Sequence, residues 1–148
     1  MSEQTGSRSS PGARRAGYVV AVLVNAVLLW LVNVYPGWQA LPFLTDDVTD
    51  VLPWVNVSLA ASLAANLVYL VTDAPRVLAA GQMVLSAIAL AVTARLLAVF
   101  PFDFSAYTVD WALVTRVVLV VALLGSAVGV VAGLVRLVAP RGLSVRRG

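Results

Sequence analysis

Four long apolar runs dominate the chain, at about residues 17–35, 51–72, 76–100 and 111–138, and only short polar stretches interrupt them. A helix rises 1.5 Å per residue, so roughly 20 residues cross a hydrocarbon core about 30 Å thick. The pattern therefore predicts an all-α polytopic membrane protein: four transmembrane helices in an antiparallel bundle with short loops and left-handed packing.

The interruptions carry the expected breakers. Residues 1–16 are rich in Ser and Gly, contain Arg8, Arg14 and Arg15, and lack apolar periodicity, which predicts a disordered cytoplasmic tail. Basic residues before an apolar run also describe a signal peptide. Here the run is longer than such a region and ends in Tyr35-Pro36-Gly37-Trp38 instead of a small-residue cleavage site, so a retained helix is expected. Pro53 and Trp54 fall in the first turn of the second span, where proline costs least. Asp73-Ala74-Pro75-Arg76 reads as a tight turn, and residues 139–148 as a basic cytoplasmic tail.

Arginine placement sets an orientation. Arg8, Arg14, Arg15, Arg76, Arg136, Arg141, Arg146 and Arg147 all fall on one side of a four-span layout. The two loops on the other side hold Asp46, Asp47, Asp50, Asp103 and Asp110 and no arginine. The positive-inside rule then predicts a multi-pass cell-membrane protein with both termini cytoplasmic.

Polar residues inside the spans sort by depth into two layers. Asn33, Asn56, Arg95 and Arg116 lie toward the outer surface, each arginine about 7–8 Å along its helix from an interfacial aromatic, Phe100 or Trp111. Asn25, Asn66 and Gln82 lie toward the inner one. Intramembrane charges are the best functional pointer such a sequence offers. The expectation is that Arg95 and Arg116 snorkel toward the interface and pair with Asp103, Asp110 or Asp50, clamping two hairpins together. The alternative is a site for phosphate or carboxylate, which two guanidiniums would suit. The inner carboxamides are expected to hydrogen-bond between helices. In Phe100-Pro101-Phe102-Asp103-Phe104, an extended backbone would point the alternate aromatics one way and Asp103 the other.

Two small-residue patterns predict close helix approach. Gly125, Gly129 and Gly133 form a ridge on the fourth span, and Ala80, Ala87, Ala91, Ala94 and Ala98 trace a coiled-coil-like seam on the third. Each could serve packing within the chain or between copies.

Composition changes the picture by exclusion. With 61% hydrophobic and 11% charged residues, there is too little polar surface to wrap a soluble core, so the lipid bilayer is the expected solvent and partner. The chain has no cysteine and no histidine, which removes disulfides, thiol nucleophiles, imidazole bases and the usual zinc, haem and copper ligands; no cofactor and no metal are expected. The sole glutamate is Glu3, so the first-span glutamate of small four-helix multidrug exporters is missing. Every basic residue is arginine, a bias that fits a GC-rich bacterial genome. The net charge of +3 is spread over tails and helix ends with no basic face, so no nucleic-acid partner is expected.

No catalytic residue emerges. The reading that follows is a non-enzymatic membrane subunit, scaffold or regulator acting through helix packing, with a homo-oligomer or a membrane partner protein as its assembly. The first alternative is a small oligomeric channel or transporter with an arginine-lined outer mouth for anions. The second is an intramembrane lipid-modifying enzyme, which would have only hydroxyls and carboxamides to work with.

Overall fold

The computed structural model describes residues 10–139. Four helices of membrane-spanning length and apolarity make up an all-α, multi-pass membrane fold: α1 (Pro11–Asn33), α2 (Leu52–Val71), α3 (Pro75–Val99) and α4 (Trp111–Val138). Short 3-10 turns at Trp38–Ala40 and Asp46–Asp50 shape the long first loop. α2, α3 and α4 each begin and end within one residue of the apolar runs at 51–72, 76–100 and 111–138.

The first does not. α1 starts at Pro11, so residues 11–16 are helical and do not belong to a disordered tail. The cause is local: the Ser10 hydroxyl accepts a hydrogen bond from the Ala13 N–H at 3.2 Å, and Pro11 stands at the first helical position. The rest of the expected N-terminal tail, and residues 140–148 of the C-terminal one, lie outside the described residues.

Helix ends follow their caps. Asp110 accepts from the Leu113 N–H at 3.0 Å and opens α4. Pro75 opens α3 after a turn in which the Thr72 hydroxyl accepts from the Ala74 N–H at 3.3 Å. Phe100 ends α3 in the left-handed region, at φ 44°. Glycine is the usual residue there, and a bulky side chain costs roughly 1–2 kcal/mol.

Neighbours in sequence are neighbours in space. α1 packs on α2, α2 on α3 and α3 on α4, while α1 makes no close backbone approach to α3 or α4 among the described residues. The bundle is thus open along the flank between α1 and α4. One end of it carries the two long loops (the loop end). The other carries the Asp73 turn, the start of α1 and the finish of α4 (the turn end).

The tightest packing is at the loop end. Leu44 and Phe102 form an antiparallel bridge between the two loops; the Thr45 N–H donates to the Pro101 carbonyl at 3.0 Å and the Asp103 N–H to the Phe43 carbonyl at 2.8 Å. Beneath it Val51 and Pro101 are fully buried, and Val48 nearly so. Elsewhere, Val92 and Tyr69 apart, large apolar side chains are exposed or half-buried, and Val118, Val121, Leu124 and Val128 on α4 face outward. For helices of this length, that is the surface lipid covers.

Candidate functional site

The loop end does not hold the expected ion-pair clamp. Asp110 is occupied as the α4 cap, and the Asp103 carboxylate accepts from the Ser105 N–H at 2.9 Å. Hydrogen bonds from the Ser105 side chain and backbone hold the Asp103 carboxyl below its usual range. Asp50 is exposed within its 3-10 turn. Among the described residues the ion pair is a different one, Arg14 with Asp73 at 3.9 Å. Arg116 instead places its guanidinium carbon 4.3 Å from the centroid of the Phe100 ring, and Arg95 is exposed. Short local bonds win because an aspartate two or three residues from a free N–H needs no long side chain ordered to meet it.

The aromatics around this loop stack as their alternation suggests. Phe102 and Phe104 lie 5.8 Å apart with nearly parallel rings, Phe43 stacks on Phe104 at 5.7 Å, and Phe100 meets Phe102 edge-on at 5.3 Å. The result is an aromatic plate across the loops, with Arg116 against its last ring.

The carboxamides tie α1 to α2. Asn33 and Asn56 exchange two hydrogen bonds, each 2.8 Å, through their side-chain amides. Nearer the turn end, the Asn25 amide donates to the Ser62 hydroxyl at 3.1 Å, and Asn66 donates to the Ser62 carbonyl at 2.7 Å. Asn25 and Asn66 thus share Ser62 as an intermediary. Gln82 does not join them.

Gln82 lines a cavity of about 650 Å³ at the turn end, to which all four helices contribute. Arg14 and Tyr18 come from α1, Tyr69 from α2, Asp73 from the turn, and Arg136 from the last turn of α4. Leu78, Ala79, Ala132 and Gly133 add apolar lining. Tyr18 and Tyr69 rest against each other with centroids 5.4 Å apart. Tyr69 is 8% exposed, and its hydroxyl has no hydrogen-bond partner. That hydroxyl sits against Gly81, where any side chain would collide with it. Compared with known protein families, curated proteins and solved structures, the chain matches none of them. Function must be argued from these residues alone.

This cavity was not anticipated from sequence. Its arginines read there as topology markers. The available signal was that its lining residues, from all four helices, fall at one depth. Among the described residues no group of three or more His, Cys, Asp or Glu could hold a metal ion.

The small-residue patterns separate. The glycine ridge packs inside the chain: a Cβ on Gly129 would lie 2.5 Å from the Ser86 Oγ, and one on Gly133 would lie 2.7 Å from the Met83 Cβ. Gly125 faces open space. On α3, Ser86 faces α4 and Gly81 faces α2. At 3.6 residues per turn, the alanine seam falls on the remaining side. Ala87, Ala94 and Ala98 are indeed exposed, and Ala91 is half-buried.

Proposed function

We propose that this chain is a non-enzymatic membrane subunit that acts through helix packing and associates with a second copy along the alanine seam of α3. The observation that carries the reading is the seam itself, a face of small side chains turned away from both neighbouring helices. In lipid there is little hydrophobic gain from covering a helix. Association depends on close backbone contact, which alanine and glycine permit and leucine does not. A two-fold axis along the membrane normal would set one seam against the other in a self-complementary contact. The lack of cysteine and of metal-holding clusters among the described residues is consistent with a non-catalytic role. Arginine placement supports cytoplasmic termini, with the turn end inward. The anion-path alternative has no comparable support, because the Arg116 guanidinium is engaged by a ring.

The test is the oligomeric state of the full chain in nanodiscs and by cross-linking at several protein-to-lipid ratios. Dimers that dissociate on Ala87→Leu and Ala94→Leu, but not on Val121→Leu, are expected. A chain that stays monomeric throughout, or dimers indifferent to the seam, would sink the reading.

A further inference from the structure

The turn-end cavity has the makings of a ligand site, and its chemistry is independent of how the chain associates. Arg14 and Arg136 stand on its rim from α1 and α4, helices that make no close backbone approach to each other. Two guanidiniums against the single Asp73 carboxylate leave the lining with a net positive charge. Asp73 sits at 3.9 Å from Arg14, too long for a tight charge-assisted bond, so Arg14 keeps most of its donors. Arg136 has no ion-pair partner among the described residues.

Below the rim the donors continue inward. Gln82 and Tyr18 line the wall. The Tyr69 ring lines the cavity too, while its hydroxyl is closed off against Gly81. Leu78, Ala79 and Ala132 line the same stretch with apolar surface. The volume falls within the range of small-molecule sites.

Two guanidiniums at the turn end, with neutral donors and apolar side chains together further in, between helices that make no close backbone approach, suit an anionic group carried on an apolar molecule. We propose that the cavity binds the phosphate headgroup of an anionic membrane lipid, which enters through the gap between α1 and α4 from the leaflet at the turn end. Basic pockets between transmembrane helices are a recurrent solution for such headgroups. Free phosphate shares the anionic chemistry but has no use for the apolar lining or the lateral opening.

The test is native mass spectrometry of the full chain released from nanodiscs of mixed phosphatidylglycerol and phosphatidylcholine. Retained lipid enriched in phosphatidylglycerol is expected. Arg136→Gln, which breaks no ion pair, should lower that enrichment severalfold. Combining it with Arg14→Gln should lower it about tenfold, the equivalent of roughly 1.4 kcal/mol. Tyr69→Phe, which deletes an oxygen closed off from the cavity, should leave retention and helical content unchanged. Arg95→Gln, at the loop end, should leave it unchanged. If the double variant does not fold, Arg136→Gln measured against Arg95→Gln still decides the matter. Equal retention of the two lipids by the native chain, or an equal loss from Arg95→Gln, overturns the proposal. Displacement of the bound lipid by inorganic phosphate alone overturns the lipid as occupant.

Discussion

Arg116 lies over the face of Phe100, its guanidinium carbon 4.3 Å from the ring centroid, and so joins α4 to the residue that ends α3. The same phenylalanine holds a left-handed backbone conformation. A contact of this kind contributes about 0.5–2 kcal/mol, depending on how dry it is, which is comparable to the conformational cost of Phe100. Phe100→Leu and Arg116→Gln should each lower stability in detergent by an amount in that range. The double variant should lose less than the sum. Additive losses in the double-mutant cycle would show that ring and cation do not interact.

Asn33 and Asn56 make a second cycle with a sharper expectation. Their reciprocal amide bonds should couple by about 0.6–1.7 kcal/mol, the span measured for such pairs in membranes. Asn33→Ala and Asn56→Ala, alone and together, measured by unfolding in mixed micelles, would give that number. A coupling near zero would mean that lipid-exposed amides find equivalent partners when apart.

The three ridge glycines should respond in a set order. Gly133→Ala drives a Cβ to 3.1 Å from the Met83 Cα, which is backbone and cannot turn aside; a loss of about 1–3 kcal/mol is expected. Gly129→Ala meets chiefly the Ser86 hydroxyl, which can rotate, so the loss should be smaller. Gly125→Ala meets nothing and should be neutral or stabilising by up to about 1 kcal/mol. Thermal unfolding of the three single variants checks the order.

These packing features were partly legible in the sequence. Spans were readable because lipid demands long unbroken apolar runs. Depth alone placed the carboxamides in two layers without pairing them, and the structure joins Asn33 to Asn56 and Asn25 to Ser62. The Asp103 and Asp110 partners were misread for a physical reason: the charges of Arg95 and Arg116 suggested long-range pairing, while backbone N–H groups two and three residues away had the shorter reach. The onset of α1 was hidden because Ser10-Pro11 sits among Gly, Arg and Ala residues that look like a tail. Which small-residue pattern packs internally could not be read from spacing, because both share a helical period. The structure distinguishes them through Ser86 and Met83.

Asp103 gives a pH signature. Its carboxyl is held below the ordinary value of 3.8, mainly by the Ser105 side chain and then by its N–H. A depressed native pKa stabilises the fold above the unfolded-state value, and that contribution is lost as pH falls through the native one. The loss therefore belongs to the acid side of pH 4. Ser105→Ala should raise the Asp103 titration midpoint in an NMR titration and shrink the acid-side difference between native protein and Asp103→Asn. A midpoint unmoved by Ser105→Ala would remove the hydroxyl from the explanation.

The bridge between Leu44 and Phe102 has a consequence for the order of assembly. Its two residues belong to loops separated by two whole spans and the turn between them. Neither loop can meet the other until the last hairpin has crossed the bilayer. Helix pairs can form as they insert, yet burial of Val51 and Pro101 waits for the final step. The loop junction is therefore a latch that closes only on a fully inserted chain. A truncated or half-threaded one would leave it open on the membrane surface, within reach of proteases.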